Sequence, residues 1–127
     1  MQESELNDRE LERTILSVML SGKTDTAFFA DRVHKDDLFY THHKTIFGGL
    51  VDLFRFSDEV DYITLRSKFT GDVRILEMLG EIHNYVPPDS VNKDQACRLL
   101  KEFASKRAVL RLCHQAIAGL DRNSDSE

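Results

Sequence analysis

Ser17-Val18-Met19-Leu20-Ser21-Gly22-Lys23-Thr24 ends in Gly-Lys-Thr, the close of a phosphate-binding loop. That loop needs a glycine five residues before its second glycine, and the position holds Ser17. It also needs a preceding strand, so that backbone amides converge on phosphate. The residues ahead are spaced as a helix instead, and a helix C-terminus presents carbonyls, which repel phosphate. His42 and His43, with His34, Asp36 and Asp37 nearby, are the candidate metal ligands. Adjacent histidines on a helix point about 100° apart and do not easily share an ion. With no His-x-x-x-His or Cys-x-x-Cys pair present, they read as surface or half-buried side chains. Glu3, Glu5, Glu10 and Glu12 read as a solvated face that compensates a helix N-terminus. No nucleophile elbow and no acidic cluster of metal spacing occurs. The sequence therefore assigns this segment no catalytic residue, no metal and no cofactor.

The chemistry that remains is apolar. Asn92 to Asp121 reads as one helix, with no proline and no glycine before Gly119. Ala96, Phe103, Leu110 and Ile117 fall on one line of a seven-residue repeat, and Leu99, Lys106, Cys113 and Leu120 on the next. At 1.5 Å per residue such a helix is roughly 40 Å long. A compact domain of this size has a radius of gyration of only ~14 Å, so the helix overhangs its own core and its seam needs a partner. Lys101, Lys106, Arg107 and Arg111 lie along the same helix and read as its solvated flank. Arg107 is a candidate polar anchor, reaching a carboxylate such as Glu77 or Glu81, or else an exposed arginine whose stem covers apolar surface.

Ahead of that helix the chain reads as a helical head. Residues 1–6 form a short lead, and Asn7 with Glu10 makes a capping box for a first helix carrying Leu11, Ile15, Val18 and Met19, stopped at Gly22. A second helix starts at Thr24 and carries Phe28, Phe29 and Val33. The connector Asp36–Tyr40 leads to a third, capped by Thr41 and carrying Ile46, Phe47, Leu50 and Leu53. Asp61 caps a fourth with Ile63, Leu65 and Phe69, closed by Gly71. Asp72 opens a fifth with Ile75, Leu76, Leu79, Ile82 and Val86 on one face, ended by Pro87-Pro88. Ser90 or Asn92 caps the long helix, so that the fifth and sixth helices are expected to fold back as a hairpin. The expected class is all-α: a head of about four helices over 7–71, a projecting two-helix hairpin over 72–121, and the start of a linker or tail over 122–127.

The 127 residues are 41% hydrophobic and 31% charged, which fits one globular domain. A net charge of −5 weighs against holding a phosphate backbone, which takes a basic face. Cys97 and Cys113, far apart on one helix, cannot pair within the chain and read as small buried residues of a reduced compartment. The opening residues are polar and acidic rather than a signal peptide, and no apolar run approaches ~20 residues, so the expected location is cytoplasmic.

In their order these features resemble the N-terminal domain of DnaB-family replicative DNA helicases, from about Asn7 to Leu120. Glu10 to Leu20 looks like that family's opening helix, which usually has glycine where Ser17 stands. Asp37-Leu38-Phe39-Tyr40, His43 and Ile46-Phe47 are similar to its Asp-Phe-Tyr, His and Ile-Phe run, and Asp61 to Leu65 to its Asp-x-x-Thr-Leu start. Leu79, Ile82 and Val86 to Asn92 resemble the end of its first hairpin helix and its proline turn. Glu102, Ala104 and Arg107 fall where its second hairpin helix carries the same residue types. The family's paired glycines before the fifth helix are missing, and Ala96 stands where tyrosine is common.

The resemblance implies a non-catalytic assembly and docking domain. Its hairpins pair within a hexameric ring that is a trimer of dimers, and primase and loaders dock on the same collar. ATP and magnesium belong to a separate RecA-like motor, which this chain lacks. The self-association residues expected on the hairpin are Leu79, Ile82, Leu99, Phe103, Leu110 and Ile117, and Phe103→Glu is expected to weaken pairing while the head stays folded. Other readings are a monomeric helicase-binding domain of a primase or loader-type adaptor, a small nucleotide hydrolase built on Gly22-Lys23-Thr24, and a helical DNA-binding module.

Overall fold

The computed structural model describes residues 8–57, 59–87 and 91–125. The lead over 1–6, the Asn7 cap, Pro88 and the Ser90 alternative cap lie outside them. Six α-helices follow in order: α1 (Asp8–Leu20), α2 (Lys23–Arg32), α3 (Thr41–Phe56), α4 (Tyr62–Lys68), α5 (Val73–Asn84) and α6 (Lys93–Asp125). A 3₁₀ turn, Lys35–Asp37, stands between α2 and α3. No strand occurs among the described residues, and the class is all-α.

The local signals account for most of the helix ends. Asp61 accepts from the Thr64 amide at 2.8 Å, Asp72 from Ile75 at 3.2 Å and Asn92 from Gln95 at 3.0 Å, so α4, α5 and α6 begin on side-chain caps. The Thr64 amide also holds the Asp61 carboxyl below its ordinary pKa. Gly71 turns the chain out of α4 at φ +95°, a conformation that L side chains avoid. The carbonyls left open at the end of α1 are met by the Ser21 and Gly22 amides and by the buried Thr26 hydroxyl, 2.5 Å from the Met19 oxygen. α5 stops at Asn84, ahead of Pro87, and α6 runs four residues past its expected end at Asp121.

The core is assembled around α1, which packs on α2, α3, α5 and α6. Leu11, Ile15, Leu16 and Met19 meet Phe29 of α2, Ile46 and Leu50 of α3, Ile75, Leu79 and Ile82 of α5, and Leu100 of α6. At Gly49 an added Cβ would stand 2.9 Å from the Phe69 ring and 3.0 Å from Leu65, so glycine sets how closely α4 approaches α3. α5 packs against α1, α3 and α4 and belongs to the head, while α6 packs against α1 and the 3₁₀ turn. What projects is the far part of one helix.

Glu12 is the departure that matters most. It is not on a solvated face but fully buried. Its Oε2 accepts from the Phe39 amide at 2.6 Å, and its Oε1 accepts from the Tyr40 amide at 3.3 Å and from His43 Nδ1 at 2.9 Å. The expected Thr41 cap is absent for the same reason: Tyr40 occupies the cap position of α3 without a side-chain bond, and the carboxylate from α1 meets the amides there. His43 is correspondingly buried rather than half-exposed.

Two outcomes follow for stability. Glu12→Ala leaves His43 and two amides unpaired in the core and lowers the unfolding free energy in urea by about 3–5 kcal/mol. A loss below ~1 kcal/mol would show that the connector finds other partners. Asp61→Ala costs about 1 kcal/mol at neutral pH. Because the folded carboxyl titrates below its unfolded value, the cap contributes above that unfolded value, and the gap between parent and variant closes as pH falls through the lowered pKa.

Candidate functional site

α6 is fastened to the head by its first half. Ala96, Cys97 and Leu100 are buried, and Leu99 and Phe103 lie half-buried against the same core. Lys93 reaches Asp25 of α2 at 2.5 Å, and Lys101 reaches the Asp37 carboxylate at 2.5 Å. Arg107 is an anchor, but not to Glu77 or Glu81. Its Nη2 donates to the Asp37 carbonyl at 2.7 Å, and its guanidinium lies 5.3 Å from the centroid of the Phe39 ring. Glu81 faces Arg13 instead, at 3.9 Å. The reason is the packing of α5 into the head, which carries its acidic face away from α6.

Beyond Arg107 the helix leaves the head. Every side chain from Ala108 to Leu120 is exposed except the small Gly119, over roughly 20 Å of helix. Val109, Leu110, Leu112, Ile117 and Leu120 are 57–66% exposed. At about 100° per residue, Val109, Cys113, Ala116 and Leu120 align as one stripe, with Leu110 and Ile117 on its shoulder. This stripe is turned roughly 150° from the face that packs on the head. The continuation of the packed face carries Arg107, Arg111 and His114.

The expected self-association set therefore separates. Leu79 and Ile82 are core residues of the head, with exposures of 0% and 1%. Leu99 and Phe103 support the base of α6, so a charge at Phe103 would disturb the core's edge as well as any interface. Leu110 and Ile117 remain exposed. Val109 and Ala116, seven residues apart on a third line of the same repeat, join them beside Cys113 and Leu120. Elsewhere, Lys23 and Thr24 simply open α2, and His34 caps the 3₁₀ turn by accepting from the Asp36 amide at 3.2 Å. No cluster of three or more metal-ligating side chains occurs among the described residues, nor any helix long and apolar enough to cross a membrane.

With this geometry in place, the comparisons decide the family. The family model described as the DnaB-like helicase N terminal domain matches residues 4–102. The chain belongs to that family. The crystal structure of the N-terminal domain of DnaB helicase from Mycobacterium tuberculosis is similar in fold, with a TM-score of 0.74 over 86% of this chain and 82% of that one, at 19% identity. Comparison with curated proteins finds no match. The DnaB-like match covers the head and the base of α6 and stops at Glu102, short of the exposed stripe. The projecting end of this DnaB-like domain has to be understood from its own side chains.

The two cysteines report on that division. Cys97 is buried, and burial raises its thiol pKa, whereas Cys113 is exposed on the stripe, contrary to the expectation that both are buried. A thiol reagent at neutral pH is expected to modify Cys113 rapidly and Cys97 only on unfolding. Equal rates, followed by mass spectrometry, would mean that the base of α6 detaches from the head in solution.

Proposed function

We propose that this DnaB-like domain is a non-catalytic assembly and docking module of a replicative helicase, which pairs through α6 with a second copy of itself. The observation that supports the reading is the stripe of Val109, Leu110, Cys113, Ile117 and Leu120, held out by a helix whose base is locked to the head. In the full reading such pairs are the dimers of a hexameric ring, and primase or a helicase loader docks on the collar they form. ATP and magnesium serve a separate motor, and the setting is cytoplasmic. The domain's own part is geometric: it fixes the angle at which α6 leaves the head.

Magnitudes favour a weak pair. Val109, Leu110, Ile117 and Leu120 each have more than half of their surface left to bury, worth about 1–2 kcal/mol apiece. Across two copies that amounts to about 8–16 kcal/mol, against ~4–15 kcal/mol of lost rigid-body freedom. Dissociation in the micromolar range or weaker follows for the isolated domain. Sedimentation equilibrium from micromolar to near-millimolar concentration is expected to show a reversible monomer–dimer equilibrium. The double variant Val109→Glu, Leu120→Glu is expected to be monomeric with unchanged helicity. A parent that stays monomeric throughout would sink the pairing and favour the adaptor reading, a monomeric domain that binds a helicase collar.

A further inference from the structure

The face of α6 opposite the stripe overhangs the 3₁₀ turn and the start of α3, and a cleft of about 430 Å³ lies between them. Its walls carry Lys44, Arg107, Arg111 and His114 around the ring of Phe39, with Asp36 the one carboxylate. Lys44, Arg111 and His114 hold no ion pair among the described residues, and the exposed Asp36 carboxylate stands at the edge of the cleft. Phe39 is 53% exposed, although its edge-to-face contact with Tyr40 at 5.0 Å fixes the ring in place. Leu38 and Leu110 extend the apolar surface beside it. On a chain of net charge −5, this is a local concentration of basic side chains beside a half-exposed aromatic ring.

We infer that this cleft is a docking site for a short acidic segment of a partner protein, which sets an aromatic or large apolar side chain against Phe39 and its carboxylates on Lys44, Arg111 and His114. The volume suits one large side chain with its backbone rather than a whole helix. A fixed aromatic ring offers the edge-to-face contact that an incoming aromatic prefers, and Arg111 can take a carboxylate in bidentate fashion. Two cations, an imidazole and an aromatic ring could also meet single-stranded nucleic acid. That ligand needs a basic track along its backbone, and here Asp36 borders the cleft within an acidic chain. A short acidic peptide presents its charge only where the cations are. The inference does not depend on α6 pairing: Arg107, Arg111 and His114 lie on the face opposite Val109, Cys113 and Leu120, and Leu110 alone borders both surfaces.

Fluorescence polarisation with the full chain tests it. The probes are a fluorescein-labelled decapeptide with a central phenylalanine flanked by aspartates, the same peptide with asparagines replacing the aspartates, and a labelled oligothymidylate. The acidic peptide is expected to bind, at least tenfold more tightly than the asparagine form, and more weakly as salt is raised. Lys44→Glu with Arg111→Glu is expected to cost at least tenfold and Phe39→Ala at least threefold, with melting curves like the parent's. Equal binding of the two peptides, no binding of the acidic one, or indifference to the double charge reversal would each overturn the assignment. So would an oligothymidylate that binds more tightly than the acidic peptide and is lost in the same variant, which would give the cleft to nucleic acid.

Discussion

A carboxylate taken out of water must be met by donors, and in this chain the Glu12 carboxylate is met by the one stretch that has donors to spare. Between Leu38 and Tyr40 the backbone is extended, with the Phe39 and Tyr40 amides outside any helix. Those amides and His43 converge on Glu12, so the burial of one charge settles the conformation of the connector and the first turn of α3 together. The consequences reach further along the chain. Asp37, two residues before Phe39, offers its carboxylate to Lys101 and its carbonyl to Arg107. The connector pinned by α1 is thus the platform on which α6 leans, and the direction of the projecting helix traces back to a side chain in the first helix.

This explains why α6 can hold an exposed second half. A helix of that length standing alone is marginal in water, since nucleation is the costly step. Here the packed base from Ala96 to Phe103 supplies the nucleus, and propagation beyond Arg107 adds a hydrogen bond per residue with no proline to interrupt it. The outer half is then free to present side chains for purposes other than holding the fold.

What could be read beforehand was whatever is local. Asp61, Asp72 and Asn92 cap helices through amides three residues away, and those caps are visible in any window of four residues. The apolar faces of α1, α3 and α5 were equally plain. What an apolar face is covered by is a different matter. Leu79 and Ile82 mark a face of α5, but nothing in their spacing says that α1, α3 and α4 cover it instead of α6. Glu12 was hidden for the same reason, since its partners lie 27 to 31 residues later. Its position did carry a signal: between Leu11 and Ile15, and one turn before Leu16, it shares the apolar side of α1, where a carboxylate has to find donors. On α6 the seven-residue repeat was a true pattern, but it does not say which of its lines the head covers. The projecting end keeps the seven-residue step, but its exposed apolar line shifts round the helix to Val109, Cys113, Ala116 and Leu120.

The opposition of the two faces on the outer half of α6 constrains how its surfaces can be used. A pair formed on the stripe by two identical chains is isologous, so each contact is made twice. The stripe would be consumed at the axis, and the basic face with Arg107, Arg111 and His114 would point outwards on both copies. Pairing and docking on this helix then share only Leu110, and the dimer would carry two clefts at a fixed separation. A partner bearing two acidic segments would gain from that separation through effective concentration rather than through any new contact. Because the separation is set by the angle of α6, and that angle by the connector tied to Glu12, a core hydrogen-bond network would determine which bivalent partners the assembled surface can span.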